Sequence, residues 1–153
     1  MSRTIFLDTG PLGIITNPKR PAETVAALTW AVSMLGAGHR LIVPAIADYE
    51  VRRELVRSGK TNGLRTLDTW NAAAPDRYLP LTDSALKLAS TLWASARNSG
   101  KATSDPKALD GDVILCAQVL DMGIPATDFI VATGNLDHIN LFVPGDDWSN
   151  ITP

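Results

Sequence analysis

Four separated segments of this sequence carry oxygen-bearing side chains that could hold a hard cation. Asp8 closes the run Thr4-Ile5-Phe6-Leu7 and is followed by Thr9. Glu50 ends the segment Pro44-Ala45-Ile46-Ala47-Asp48-Tyr49-Glu50. Asp110 and Asp112 open the run Asp110-Gly111-Asp112-Val113-Ile114-Leu115-Cys116-Ala117-Gln118. Thr133 and Asn135 follow Phe129-Ile130-Val131-Ala132, ahead of Asp137 and His138. Carboxylate, hydroxyl and amide oxygens are hard donors that suit Mg²⁺ or Mn²⁺. Carboxylates converging with no arginine or lysine between them repel one another unless a cation lies among them. Zinc spacing is absent, because Cys116 is the single cysteine and His39 and His138 are the only histidines. Taken singly, each acid has an ordinary use. Aspartate after a strand is a common turn residue. Glutamate is a good helix former. Acids in a first helical turn gain about 0.3–1 kcal/mol from the macrodipole. It is their convergence that would make a site.

The elements that would bring them together alternate in type. Thr4–Asp8, Arg40–Val43, Tyr78–Leu81 and Phe129–Thr133 read as short apolar strands, with a last one at Leu141–Val143. Between them the spacing predicts helices over Ala22–Leu35, Ala45–Arg57, Thr61–Ala73, Thr82–Ala96 and Asp110–Met122. In the first of these, Val25, Leu28, Val32 and Leu35 form the apolar stripe. Thr82 is placed to cap its helix. Two breaker-rich stretches, Gly10–Pro21 and Asn98–Lys107, read as loops. Buried strands alternating with helices predict an α/β sandwich around a mainly parallel sheet. Ligands in such sheets sit beyond the carboxyl ends of the strands. Asp8 and Thr133 would both lie at that edge.

A length of 153 residues suits a single domain spanning the whole chain. With 14 basic and 16 acidic residues the net charge is −2, which excludes a strongly basic protein that coats nucleic acid. Any attraction for a polyanion must then be local. Arg52, Arg53, Arg57, Lys60 and Arg65 form the densest basic stretch, and Lys101 and Lys107 precede Asp110. Such a run is as often a solvated helix face. Tyr49 and Trp70 could stack on bases, although burial is the commoner fate of such rings. The lone cysteine excludes an internal disulfide and suits a reducing compartment. The N-terminus lacks the apolar stretch of a secretory signal. No run approaches the roughly 20 apolar residues of a membrane span. A cytoplasmic chain without membrane association is the expectation.

The ordered set Leu7-Asp8-Thr9, Pro44-Ala45-Ile46-Ala47-Asp48-Tyr49-Glu50, Asp110-Gly111-Asp112-Val113-Ile114-Leu115-Cys116-Ala117 and Val131-Ala132-Thr133-Gly134-Asn135-Leu136-Asp137-His138 resembles PIN-domain proteins. The resemblance is closest to the VapC-like toxins of bacterial toxin–antitoxin pairs and covers nearly the whole chain. It implies a PIN-like three-layer α/β/α sandwich and a metal-dependent ribonuclease. The family's acids map onto Asp8, Glu50 and Asp112, with Asp110 as a companion. Asn135 stands where the family's fourth acid would be, which leaves one metal or two as alternatives. Thr9, Thr133, Arg52 and Arg53 are the implied substrate-binding residues. The implied cofactor is Mg²⁺ or Mn²⁺. The implied partners are an RNA substrate, a cognate antitoxin and a second copy of the chain. Trp30, Met34, Trp70 and Trp93 are candidates to line the partner surfaces.

Other readings fit less well. A haloacid-dehalogenase-like phosphatase wants a second aspartate two residues after the first, where this chain has Gly10. A receiver domain wants paired acids near the N-terminus and a late lysine, but no lysine follows Lys107. The remaining rival is a PIN-like scaffold that binds RNA or a protein without cutting. Within the third segment, residues two apart on a helix point about 200° apart, so Asp110 and Asp112 cannot both face one cation. The expectation is that Asp112 reaches the site, while Asp110 either caps the helix or acts on the metal through a bridging water.

Overall fold

The computed structural model describes residues 2–100 and 106–153, with the side chains of 106–108 left aside. Of the loop expected at Asn98–Lys107, Asn98 ends one helix and residues 106–107 open the next, while 101–105, Lys101 among them, and the side chain of Lys107 lie outside the described residues.

The strands β1 (Thr4–Leu7), β2 (Arg40–Pro44), β3 (Tyr78–Leu79), β4 (Phe129–Ala132) and β5 (Gly145–Asp146) form one sheet in the order β3-β2-β1-β4-β5. Every pairing is parallel. The helices are α1 (Thr9–Ile15), α2 (Ala22–Gly36), α3 (Ala45–Arg57), α4 (Thr61–Ala72), α5 (Asp83–Asn98), α6 (Pro106–Asp121) and α7 (Leu136–Ile139). The strand order runs outward from β1 to β3, then crosses back to β4 and β5. Right-handed crossovers then put α1–α4 on one face and α5–α7 on the other. Within each face, α1 packs on α2 and α3, and α3 on α4, while α6 packs on α5 and α7; α3 and α6 also meet across the two groups. The expected three-layer α/β/α sandwich is what forms.

The core lies on both faces of β1, β2 and β4. Ile5, Phe6, Leu7, Val43, Val131 and Ala132 are fully buried, which explains why these strands read as continuous apolar runs. β1 and β4 pair with Leu7 beside Ala132. The next residue of each strand, Asp8 and Thr133, therefore leaves the sheet side by side. This is the point where the strand order reverses, the usual place for a ligand in an open α/β sheet.

Four expectations change. Gly10–Pro21 is not all loop, because α1 starts at Thr9. Asp8 caps it, its carboxylate accepting from the Thr9 N–H, and Pro11 sits in the first turn, where no donor is needed. The helix expected from Asp110 begins at Pro106, with proline opening it. The last strand is Gly145–Asp146, not Leu141–Val143, which folds back on α7 with Val143 N–H donating to Ile139 C=O. Gly145 fits there because a Cβ would meet Ile139 at 2.9 Å. Finally, α2 is rotated from its predicted face. It buries Thr24, Ala27, Trp30, Ala31 and Met34 and leaves Val25 and Val32 52% and 69% exposed. The Trp30 indole decides this, burying its ring against Trp148 and donating to Ile151 C=O at 2.9 Å. Trp30 and Met34 are thus core residues, not partner surfaces. No helix among the described residues is long and apolar enough to cross a membrane.

Gln118 is a buried polar residue of α6 that joins three elements. Its Oε1 accepts from the Ile46 N–H in the first turn of α3, and its Nε2 donates to the Leu79 carbonyl that ends β3 and to the Pro80 carbonyl just beyond it. Helix N-termini carry N–H groups with no partner of their own, and this amide supplies one. Gln118→Leu should cost about 1–3 kcal/mol, because buried groups on both sides lose their partner. Urea unfolding of the two proteins measures it.

Candidate active site

Asp8 occupies the cap of α1 with both carboxylate oxygens bonded. Oδ1 accepts from Thr9 N–H at 2.7 Å, and Oδ2 accepts from the Thr133 hydroxyl at 2.8 Å. The turn-residue reading of Asp8 therefore holds, and the same side chain ties the exit of β1 to that of β4. Thr133 in turn accepts from Asn135 N–H at 2.9 Å, which shapes the exit from β4. The Thr9 hydroxyl donates to Glu50 Oε1 at 3.0 Å, so Thr9 joins the first two acids.

Glu50 reaches this edge from α3 and lies against the backbone of α6. A Cβ on Gly111 would come within 3.0 Å of Glu50 Oε2 and 3.1 Å of Oε1. Gly111 sits inside the helix and makes room for a carboxylate. An isolated glycine in an otherwise apolar helix was the available signal.

Asp112 faces the same centre from α6. Asn135 Nδ2 lies 2.7 Å from its Oδ2, and His138 Nδ1 lies 2.6 Å from the same oxygen. The carboxyl is pushed up to about 6, first by burial, with the Asp8 and Glu50 charges adding to it and the His138 hydrogen bond opposing. The three acids are thus close enough to feel one another. Asp110 is not among them. It lies in the second turn of α6, so it caps nothing, and it lines a small cavity against α5 with Leu86, Ala89 and Trp93. The 200° separation places it on the far side from Asp112. Cys116 is buried, which pushes its thiol far up and excludes thiolate chemistry.

The basic stretch is mostly spent on ion pairs. Arg52 bonds Asp48 at 2.9 Å and Asp68 at 2.6 Å, facing α4 and away from Glu50. Arg57 pairs with Glu54. Arg53 alone borders the site, 3.5 Å from Glu50 Oε2 and 5.4 Å from the Tyr49 ring centre. Tyr49 is exposed, whereas Trp70 is half-buried under Arg77. A groove of about 900 Å³ runs from Thr9 and Glu50 past Gly13, Val51 and Leu55 to Lys19 and Lys60. Sequence reading missed Lys19, Gly111 and His138. Gly111 carried the signal of an isolated helix glycine and His138 its place three residues after Asn135; Lys19 carried none.

The carboxylates of Asp8, Glu50 and Asp112 are hard oxygen donors of the kind Mg²⁺ or Mn²⁺ takes, with the Asn135 and His138 nitrogens on one Asp112 oxygen and Arg53 at an exposed rim. As they stand, no group of three or more acids, histidines or cysteines among the described residues is arranged to hold a metal ion.

No family model matches the sequence, and no curated protein does. Solved structures do share the fold. A chain of VapBC2 from Rickettsia felis, bound to a DNA fragment from its promoter, matches at a TM-score of 0.69 and 13% identity over 95% of this chain and 98% of that one. FitAcB from Neisseria gonorrhoeae matches at 0.66 and 17% over 96% and 99%. VapBC-1 from nontypeable Haemophilus influenzae matches at 0.63 and 13% over 96% and 99%. At these identities the likeness is one of fold, and the fold is PIN-like.

Two outcomes follow. Gly111→Ala should raise stability by up to about 1 kcal/mol through helix propensity, while displacing Glu50 and lowering any activity of the site. Thermal melts and turnover, measured together, would move in opposite directions. The second concerns pH. A carboxyl raised from 3.8 to about 6 on folding contributes stability that is full below the lower value and lost as pH rises through the upper one. Asp112→Asn should therefore gain on the wild type, in EDTA, by on the order of 2–3 kcal/mol as pH rises from about 4 to 7.

Proposed function

We propose that this PIN-like chain is a divalent-metal-dependent endoribonuclease and the toxin of a toxin–antitoxin pair. The observation that supports it most is the meeting of Asp8, Glu50 and Asp112 from three separate elements where β1 and β4 leave the sheet. The resemblance in the sequence and the fold shared with the VapBC and FitAcB structures point the same way. A divalent cation bound among the three acids would supply Lewis acidity towards a phosphate and lower the pKa of an attacking water. The chain's own residues do the rest. Thr9 and Thr133 fix the two oxygens of Asp8, and Thr9 also fixes Glu50. Lys19 and Lys60, at the far end of the groove, can hold phosphates of a strand whose scissile bond lies at the acids. Arg53 and exposed Tyr49 stand where a base or phosphate would leave the centre. Products with a 5′-phosphate and a 3′-hydroxyl are the family pattern.

The partners belong to the same proposal. The exposed Val25, Val32 and Leu35 of α2 form an apolar face suited to a protein contact, whether with a second copy or an antitoxin. Light scattering at micromolar concentration should report a dimer.

The decisive measurement is RNA cleavage by the purified protein in Mg²⁺ or Mn²⁺. EDTA should abolish it. Asp8→Asn should lower it by more than the roughly 10–100-fold typical of a residue that only supports a metal ligand, while Asp110→Asn should keep wild-type rates. Cleavage by Asp8→Asn at the wild-type rate would refute the site. RNA that is bound but never cut would establish the scaffold reading instead.

A further inference from the structure

The reading above leaves Asn135 and His138 without a part. Asn135 precedes α7, and His138 lies within it, three residues on and on the same face. Both meet Asp112, and both meet it at one atom. Asn135 Nδ2 is 2.7 Å and His138 Nδ1 2.6 Å from Oδ2, and the two nitrogens are 3.2 Å apart. Each carboxylate oxygen has about two lone-pair sites, so the two donors fill that oxygen. An ionised carboxylate only accepts, so the amide must present its nitrogen and the imidazole its Nδ1 proton. Among the described contacts none falls on Oδ1. His138 is 8% exposed, which removes this arrangement from chance surface meetings.

We propose that Asn135 and His138 are positioning residues that clamp Asp112 by Oδ2 and reserve its Oδ1 for a divalent cation shared with Asp8 and Glu50. The proposal rests on the metal-dependent reading above and deepens it. It also assigns the amide that stands in place of a fourth acid. A carboxylate at position 135 could not donate to Asp112 and would add a further like charge beside it. A lysine or arginine there would neutralise it. A neutral amide holds Asp112 while leaving its charge available. Hydrogen bonds that fix a metal ligand are typically worth 10–100-fold in metal affinity.

The test is Mn²⁺ binding by calorimetry, with melting temperature in EDTA as the check on folding. Asn135→Ala and His138→Phe should each weaken Mn²⁺ binding by roughly 10–100-fold. His138→Asn, which keeps an N–H near the Nδ1 position, should recover most of the loss. Asn135 is exposed, so Asn135→Ala carries the test if His138→Phe does not fold. Wild-type affinity in both variants, with or without a lower melting temperature, overturns the clamp and leaves the metal reading standing. A wild-type chain that takes up no Mn²⁺ overturns the metal reading and the clamp with it.

Discussion

Like charges gathered at one edge of a sheet repel, and much of this molecule answers that repulsion. Asp8, Glu50 and Asp112 come from different elements, and burial first, then the charges of Asp8 and Glu50, push the Asp112 carboxyl up. The groups that hold them are mostly neutral dipoles: the Thr9 N–H and hydroxyl, the Thr133 hydroxyl and the Asn135 amide. Dipoles fix an oxygen in place without cancelling its charge. A lysine in the centre would have cancelled that charge instead. The one arginine nearby, Arg53, stands at the rim.

Holding the acids at a set spacing also depends on groups that never touch them. Glu50 rides on α3 and Asp112 on α6. Gln118 ties the start of α3 to α6 by a buried amide. On the opposite side of α3, Asp48 accepts from Arg52 and Asn71, and Arg52 reaches on to Asp68 of α4. That network sets the rotation of α3 and so the direction of Glu50. The arginine that looked like a substrate contact in sequence is part of the scaffold that aims the glutamate. Gly111 completes the arrangement, since even a Cβ there would crowd the Glu50 carboxylate at 3.0 Å.

The strands and most helices were legible because each obeys its own period. β1, β2 and β4 are continuous apolar runs because helices cover both faces, and α3 and α5 end where glycine or a change of pattern ends them. The sequence was misleading where tertiary context outweighed the local signal. Gly10 and Pro11 suggest a turn, yet a capping aspartate before them makes a helix start. Val25, Val32 and Leu35 have the right spacing for a core face, but the Trp30 ring buries more area from the other side of α2. Among site residues, Asp8 announced itself by following a strand, whereas Glu50 and Asp112 lie within helices and were marked only by their place in the ordered set of segments. Asp110 and Asp112 could be separated only after the helix was seen to begin at Pro106. Lys19 could not be found at all, because nothing in its own segment marks it as the end of a groove that begins at Glu50.

The bond between Thr133 and Asp8 joins residues 125 positions apart. β1 is the central strand, yet its neighbour on one side, β4, is among the last elements in the chain. Contacts so distant in sequence close late, after the entropy of a long loop has been overcome. Asp8 and Glu50 are made well before residues 133–138, which hold Asp112. The three acids therefore take their places only after the long crossover from β3 to β4 has closed, and the order of the elements sets the order in which the cluster is built.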